Sequence, residues 1–320
     1  MSLNANADMP PVKGSDRDSP CFDFPSFMGC PRLQDFLNAD VDVVVSGVPF
    51  DLASSMRPGA RFGPAAIRQA SKHLDWEICR WPWDFHVFDV LRVIDCGDLC
   101  FDPIAGEQMV TYLQRHASQI LAADKSMLTL GGDHFITLPL LREHAKKHGP
   151  IALIHFDAHT DTEINTQPYD HGTMFLHAVN EGLLITERSV QIGVRTEYDR
   201  NHHKLAVLDA AWVLDHKPTT VVKAIKQVVA DHPVYVTFDL DCLDPSFAPG
   251  TGTPVVGGLS TDLALKIIRG LVGCNLIGMD IVEVSPPYDH AEITSLAAAT
   301  LGLELLYVLA ANKKETLRSA

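Results

Sequence analysis

The stretch IALIHFDAHTDT, residues 151–162, begins with an apolar run that is typical of a buried strand. It continues with Asp157, His159 and Asp161, which alternate with Ala158 and Thr160. Because successive side chains of an extended backbone point to opposite sides, the three polar side chains are predicted to share one side. Carboxylates and imidazoles are ligands of divalent metals, so the pattern indicates either a metal site or the ordinary solvated end of a strand.

The composition of the 320-residue chain is that of an ordinary folded protein, with 46% hydrophobic and 21% charged residues. Its formal net charge of −14, without a basic block, argues against binding to nucleic acid or to an anionic membrane. No secretory signal or stretch of roughly 20 uninterrupted apolar residues is apparent, so no membrane span is predicted. The seven cysteines are scattered and form no CxxC pair, so a reducing cytoplasm is the expected location.

Strand and helix signals alternate along most of the chain. Residues 1–20 are rich in Pro, Asp, Ser and Asn and are predicted to form a flexible arm, whereas residues 21–320 are predicted to form one domain. Apolar strand-like runs occur at 41–48, 91–95, 126–130, 151–156, 189–194, 234–238 and 276–282. One helix is expected to start at 63–64, and further helical signals occur at 105–123, 137–147, 221–229, 262–271 and 291–311. Apolar strands separated by helices require a sheet that is covered on both faces. The predicted fold class is α/β, a single three-layer α/β/α domain with a mostly parallel central sheet.

Polar side chains follow four of the predicted strands. The stretches LTLGGDHFITLP, HFDAHTD, VYVTFDLDCLDP and LIGMDIVEVSPPYD contribute His134, then Asp157, His159 and Asp161, then Asp239 and Asp241, and finally Glu283. The carboxyl ends of parallel strands meet at one edge of a sheet, where ligand-binding groups gather. We therefore expect these side chains to lie close together. Cys242 directly follows Asp241, so it is predicted to point away and to pack in the core.

Charge balance predicts how many metal ions such a site would hold. Four converging aspartates, at positions 157, 161, 239 and 241, would repel one another and raise each other's pKa values. Two divalent ions would balance them and leave His134 and His159 as neutral ligands, whereas one ion would leave uncompensated buried charge. The oxygen-rich ligand set favours manganese over zinc. Two close ions lower the pKa of a shared water, so a hydrolase is predicted; the alternative is a purely structural metal site.

The motifs resemble those of the ureohydrolases, the arginase and agmatinase superfamily. The resemblance rests on GGDHFITLP, HFDAHTDT, TFDLDCLDPSFAPGTGTPVVGGLS and MDIVEVSPPYD and extends from about residue 41 to 306, while SGVPFD, WPWDF, CGDL and DHGTMF are most similar to bacterial agmatinases. It implies an arginase-like fold with two Mn²⁺ ions per subunit. One ion would be held by His134, Asp157, Asp161 and Asp239, and the other by Asp157, His159, Asp239 and Asp241.

The resemblance also implies a reaction, in which a guanidinium group is hydrolysed to urea and an amine. For agmatine the amine is putrescine, a step in polyamine biosynthesis. Glu283 would hold the guanidinium group, His171 would deliver a proton to the departing amine, and Asp241 is the third residue expected to be catalytic. Taken alone, His171 is better explained as a histidine at a helix start. His155, two residues before Asp157, is expected either to orient a metal ligand or to be a core histidine.

The loop residues favour a small cationic guanidino substrate. After QIGVR the chain reads TEYD and lacks the acids that arginases use near the α-amino group, so arginine is not expected. Glu163 and Asp170 are candidate substrate-binding residues, because the loop between Asp161 and His171 is acidic and suits the ammonium end of agmatine. Arg57 and Arg61 could instead serve a carboxylate, as in guanidinobutyrate or guanidinopropionate, but a structural role is favoured for them.

Two readings from other classes stay open. One is a single-metal zinc amidohydrolase of the deacetylase type, which would have little need for His134 or Asp241. The other is an inactive metal-binding subunit, although every expected ligand is present. The resemblance further suggests a homo-oligomer, a trimer or hexamer, in the cytoplasm.

Overall fold

The computed structural model describes residues 25–33, 36–76, 79–165 and 167–319. The predicted arm at residues 1–20 lies outside these ranges. The strands of the described chain are β1 (Val43–Val48), β2 (Val93–Asp98), β3 (Ser126–Gly131), β4 (Ala152–Phe156), β5 (Val190–Ile192), β6 (Ala206–Leu208), β7 (Pro233–Asp239) and β8 (Asn275–Val282). They form one sheet in the order β2-β1-β3-β8-β7-β4-β5-β6, and every neighbouring pair is parallel.

Helices cover both faces of this sheet. They are α1 (Gly63–Ser71), α2 (Gly106–Ala122), α3 (Thr137–His148), α4 (Met174–Asn180), α5 (Ala210–Asp215), α6 (Pro218–Val229), α7 (Thr261–Arg269) and α8 (Ile293–Ser319). Val43 and Val45 of β1 pack in a core with residues of α1 and α5–α8, whereas Val44 and Val48 pack in a second core with residues of α2–α4. Alternate strand residues thus serve opposite faces, and the predicted three-layer α/β/α fold is confirmed.

Helix α8 is a core helix of this fold. Its segment Ile293–Leu317 is long and apolar enough to cross a membrane, but 83% of its most apolar window is buried against the rest of the described protein. The buried Glu304 of α8 accepts hydrogen bonds from Arg80 Nε (3.1 Å), Arg269 Nη2 (2.6 Å) and Trp83 Nε1 (2.8 Å). A charge is tolerated in this apolar helix because cationic and polar donors surround it.

Three short elements were not predicted. Strand β6 has three half-buried residues at the edge of the sheet, and helices α4 and α5 have seven and six residues. Such segments are too short for a period of 2 or 3.6 residues to show in the sequence. The longer predicted elements are present, with ends that differ by a few residues.

The sheet order places the predicted functional segments side by side. Strands β1, β3, β8, β7 and β4 are consecutive neighbours, and all their carboxyl ends lie at the same edge because the strands are parallel. Gly132, after β3, allows the next loop to approach closely, because a Cβ atom there would lie 2.5 Å from the carbonyl oxygens of Val48 and Phe50. The segments that follow these strands therefore converge on one site.

Candidate metal centre

A first group of side chains converges around Nδ1 of His134. This atom lies 3.1 Å from Oδ2 of Asp157, 3.0 Å from Oδ2 of Asp161 and 3.3 Å from Oδ2 of Asp239. All four side chains are buried. The Nδ1 atom nevertheless has no hydrogen-bond partner in the part of the chain that the structure describes. Four ligand atoms that face one another without bonding directly are arranged as they would be around a cation.

The hydrogen bond of Nε2, the other ring nitrogen of His134, shows whether that nitrogen carries a proton. The hydroxyl of Thr237 donates to Asp280, so its oxygen accepts a 2.8 Å hydrogen bond from Nε2 of His134. Nε2 of His134 therefore carries a proton. Burial lowers the pKa of this ring, but the three carboxylates that face Nδ1 outweigh burial and raise the pKa well above its ordinary value. These carboxylates therefore stabilise a positive charge at Nδ1, which either a proton or a metal ion supplies. The donor set thus fits a divalent metal ion.

A second group lies on the other side of Asp157. Nδ1 of His159 is 3.2 Å from Oδ1 of Asp157 and 3.1 Å from Oδ2 of Asp241. Oδ1 of Asp241 accepts from the backbone N–H of Ala158 (3.0 Å), and Oδ2 accepts from the hydroxyl of Thr253 (3.0 Å). The two oxygens of Asp157 thus face different imidazoles, so this carboxylate would be available to both groups of ligands.

A row of polar side chains supports the ligands. It lies on the same strands, one residue pair further from the carboxyl ends than the ligands do. In the strand register Gln191 pairs with His155, His155 with Thr237, and Thr237 with Asp280. Nε2 of Gln191 donates to Nδ1 of His155 (2.8 Å) and to the carbonyl oxygen of Thr160 (2.7 Å). His155 therefore carries its proton on Nε2. Burial lowers the pKa of His155 to about 4, so the ring is neutral at physiological pH.

Three carboxylates of the site are destabilised in their ionised form, and a bound cation would remove this destabilisation. Burial raises the pKa of Asp161, and the neighbouring Asp157 raises it further, to about 7. Burial and the neighbouring carboxylates Asp241 and Asp157 also raise the pKa of Asp239 well above its ordinary value. For Asp241, burial and then Asp157 raise the pKa. These directions are those expected for like charges that converge without a compensating ion.

Two of the functional residues have strained backbones. Asp161 and Glu283 have positive φ angles of 50° and 65° although neither is glycine. Each such residue costs about 1–3 kcal/mol and persists only where the surrounding structure imposes it. The N–H of Glu283 donates to the carbonyl oxygen of Gly132 (2.8 Å), and the carbonyl oxygen of Asp161 accepts from Phe175 N–H (3.1 Å). Both residues are thereby held at the sheet edge.

Glu283 and His171 form a pair beside the metal ligands. Oε1 of Glu283 accepts from the backbone N–H of His134 (2.8 Å) and lies 2.8 Å from Nδ1 of His171. Oε2 of Glu283 is buried and has no partner among the described residues. Burial lowers the pKa of His171, but the Glu283 carboxylate outweighs this effect and raises it to about 10. The unused oxygen is available to an N–H donor of a ligand.

A cavity of about 600 Å³ opens beside His159 and Asp161. Its wall includes Glu163, whereas Asp170, the other predicted substrate contact, is not among the lining residues. The Asp170 carboxylate instead accepts from Nδ2 of Asn165 (2.7 Å) and from the N–H of Gly172 (2.7 Å), so it shapes the loop. Charged side chains in the wall, besides Glu163, are Asp161, Glu197, Asp199 and Lys204. The acids outnumber the single cation, which suits a positively charged ligand.

The two loop arginines are held by structural contacts. Arg61 Nε donates to Oδ1 of Asp51 (2.5 Å), a buried side chain. Arg57 lies over the ring of Tyr288, 5.1 Å from its centroid. These contacts agree with the structural role that the sequence favoured. Cys242 is buried, with its Sγ 3.4 Å from the carbonyl oxygen of Ile192, as predicted.

Several supporting residues were missed from the sequence. His155 and Thr237 precede Asp157 and Asp239 by two positions, so the same alternation that selected the ligands also places these side chains on the ligand side. A supporting role was predicted for His155 but not for Thr237. Gln191 and Asp280 carry no such signal, because their relation to the site depends on which strands are neighbours.

The comparisons with known proteins agree with this architecture. The Arginase family model matches residues 41–307. An agmatinase from Serratia proteamaculans is 59% identical over 86% of this chain and 90% of its own length. The crystal structure of a hypothetical agmatinase from Burkholderia thailandensis superposes with a TM-score of 0.87 and 51% identity and covers 91% of both chains. Proclavaminate amidino hydrolase from Streptomyces clavuligerus superposes with a TM-score of 0.84 and 38% identity over 90% of this chain and 97% of its own. The chain therefore belongs to the arginase family, as the sequence motifs predicted.

Proposed function

We propose that the protein is an agmatinase, which hydrolyses agmatine to putrescine and urea in polyamine biosynthesis. The observation that carries this proposal is the convergence of six buried or half-buried ligands beside Glu283 and His171, in a chain that is 57–59% identical to several proteins named agmatinase. The acidic cavity adds a place for a cationic tail.

We further propose that the resident cofactor is a pair of Mn²⁺ ions. His134, Asp157, Asp161 and Asp239 would hold one, and Asp157, His159, Asp239 and Asp241 the other. The ligand set has more carboxylate oxygens than imidazoles and no thiolate, which favours Mn²⁺ over Zn²⁺. When bound, the ions would supply Lewis acidity and lower the pKa of water.

The chain's own residues would bind the substrate and move the proton. Oε2 of Glu283 would accept an N–H of the guanidinium group, since it is buried and no described residue is hydrogen-bonded to it. Asp241 would add negative charge near the reacting carbon and help to stabilise the cationic substrate. His171 holds a proton on Nδ1 and would transfer it to the departing amine nitrogen as the C–N bond breaks.

The far end of the substrate would lie in the cavity. Glu163 lines that cavity and is retained as the candidate contact for the ammonium group. Asp170 would act indirectly, because its hydrogen bonds to Asn165 and Gly172 hold the loop that carries Glu163. A carboxylate tail, as in guanidinobutyrate, would meet repulsion from Glu163, Glu197 and Asp199.

A substrate panel with added Mn²⁺ tests the proposal. Urea release from agmatine should exceed that from guanidinobutyrate, guanidinopropionate and arginine in kcat/KM. If an acidic guanidine has the highest kcat/KM, agmatine is not the substrate, but the protein is still a guanidino hydrolase. Metal analysis of the same sample should give two ions per subunit, and a single zinc with no urea release would favour the deacetylase-type reading instead.

We also propose that the enzyme acts in the cytoplasm as a homo-oligomer, a trimer or hexamer, without nucleic-acid or membrane partners. The net charge of −14 supports the last part, because anionic surfaces would repel the protein. Light scattering coupled to size-exclusion chromatography would measure the subunit count.

A further inference from the structure

The loop between β1 and α1 reaches the outer side of His171. Its residue Asp51 accepts the N–H of Gly59 (2.9 Å), and Asp133, after β3, accepts the N–H of Ala53 (2.8 Å). Both carboxylates are buried. These bonds hold the loop against the site and present Ser55 to His171, although Ser55 itself is exposed to solvent.

Ser55 makes two contacts with the ring nitrogen that faces away from Glu283. Its backbone N–H donates to Nε2 of His171 at 3.1 Å, and its Oγ lies 2.8 Å from the same atom. An amide N–H can only donate, so Nε2 acts as an acceptor in this arrangement. The proton of the neutral ring is then on Nδ1, directed at Oε1 of Glu283.

The neighbours of the ring favour different protonation states. The carboxylates of Glu283, Asp161 and Asp133 stabilise the imidazolium form. The Ser55 N–H opposes it, because a protonated Nε2 cannot accept. A ring under two opposing influences can gain and lose a proton readily, provided that a donor reaches Nε2. The Ser55 hydroxyl contacts this nitrogen and belongs to a residue that is exposed to solvent.

We propose that Ser55 is a positioning residue that directs the His171 proton toward Glu283 and, through its hydroxyl, connects Nε2 of His171 with solvent. This inference rests on the proposed function, since it assigns the supply of the proton that the departing amine consumes.

The proton balance is closed at each step. The N–H bond at Nδ1 breaks as the departing amine nitrogen takes its proton, and Nε2 takes the Oγ–H proton of Ser55 in the same movement, so the ring stays neutral. Oγ takes a proton from a solvent water, and the hydroxide that remains is neutralised by the proton that the attacking water releases to solvent during hydrolysis. A tautomeric return, with release at Nε2 and uptake at Nδ1, restores the starting state. No oxidant or reductant is involved.

The test compares Ser55→Ala with Ser54→Ala in the metal-loaded enzyme. Ser54 is the matched control, because its Oγ is buried and has no hydrogen-bond partner within the described ranges of the chain. General acid–base catalysis contributes about 10²–10⁴-fold to a rate, so loss of the relay hydroxyl should lower kcat by about 10-fold. KM and metal content should stay within about two-fold of the wild type, imidazole buffer should restore part of the rate, and Ser55→Thr should retain it.

A second measurement does not depend on turnover. Exchange of the imidazole C2 hydrogen, followed by mass spectrometry as a function of pH, reports the protonation of His171. Loss of the hydroxyl should lower the pH midpoint in Ser55→Ala and leave that of Ser54→Ala unchanged, because a hydrogen bond from imidazolium to Oγ is removed.

The outcomes separate this inference from the proposed function. If Ser55→Ala keeps the wild-type kcat and exchange midpoint, the relay is wrong while agmatine hydrolysis stands. If Ser55→Ala loses metal, or if its KM rises by the same factor as its kcat falls, Ser55 is structural and the relay is again wrong. If the wild type releases no urea but the exchange midpoint shifts as expected, the proposed function fails and the positioning of His171 by Ser55 stands.

Discussion

Nε2 of His155 donates a 2.7 Å hydrogen bond to Oδ2 of Asp157. That oxygen is also 3.1 Å from Nδ1 of His134, so His155 orients the carboxylate that both groups of ligands share. Replacing His155 with Ala should weaken metal binding by about 10–100-fold, the usual cost of removing a residue that supports a ligand. Metal content after dialysis against a graded chelator series would measure the loss.

The control for this variant is His116→Ala. His116 is also fully buried, and its Nε2 lies 2.8 Å from Oγ of Ser46, away from the metal ligands. Both variants should lose stability, but only His155→Ala should release metal at low chelator concentration. Equal metal retention in the two variants would contradict the role assigned to His155.

Thr237→Val should also weaken metal binding. The substitution preserves the side-chain shape but removes the oxygen that accepts from His134 Nε2 at 2.8 Å. The proton of His134 is then free to occupy Nδ1, where it competes with a metal ion. Titration with Mn²⁺ should show a dissociation constant raised by about 10-fold or more, whereas Thr237→Ser should bind nearly as the wild type does. Identical affinities for Val and Ser would argue against control of the tautomer by Thr237.

Asp239→Asn and His171→Ala should separate metal binding from proton transfer. Asp239 faces the first group of ligands, so the neutral amide should strip metal and activity together. His171 lies 2.8 Å from Glu283 and is not among the metal-facing side chains, so its loss should leave the metal content intact and reduce kcat by about 10²–10⁴-fold. Full turnover of His171→Ala at normal metal content would remove this residue from the mechanism.

Arg68→Met should destabilise the fold at a place remote from the ligands. Arg68 is buried and pairs with Asp95 through Nε (2.7 Å) and Nη2 (2.9 Å). Burial alone would raise the pKa of Asp95, but Arg68 outweighs burial and lowers it. Removing one partner of a buried pair costs about 3–5 kcal/mol. Urea unfolding at pH 7 would measure it, with the exposed Arg92→Met as the control that should change by about 1 kcal/mol or less.

The pH dependence of that loss has a definite sign. In the wild type the folded-state pKa of Asp95 is depressed, so its contribution is present above the unfolded value of about 3.9 and is lost as the pH falls through the folded value. In Arg68→Met the N–H groups of Phe27 and Gly97 still lower the pKa of Asp95, but burial, the largest influence, raises it, so protonation relieves the variant at mildly acidic pH. The difference in the free energy of unfolding between the wild type and Arg68→Met should therefore become smaller from pH 7 to pH 5. A difference that stays constant would mean that Asp95 is not the group left without its charge partner.

Spacing along the chain predicted which residues meet at the site, but the backbone that brings them together differs from the expected extended one. Strand β4 ends at Phe156, so Asp157, His159 and Asp161 lie in the loop that follows it, and Asp161 has a positive φ of 50°. Asp241 and Cys242 lie in the 3-10 turn Leu240–Cys242 after β7, so the turn, not strand alternation, directs Asp241 to the site and Cys242 to the core. Asp170 was expected near the substrate from its charge alone, but its carboxylate closes the loop with Asn165 and Gly172, a contact that composition does not reveal.

The amino-acid sequence by itself determined the α/β class, the identity of the strand ends that carry polar groups, and the family, because each depends on short-range periodicity or on contiguous motifs. Only the tertiary structure decided that Gln191, His155, Thr237 and Asp280 form one row beneath the ligands, and that Ser55 contacts His171. The physical reason is that strand order and register arise from packing between segments far apart in the chain. Those contacts fix the ring tautomers of His134 and His155, on which the chemistry of the site depends.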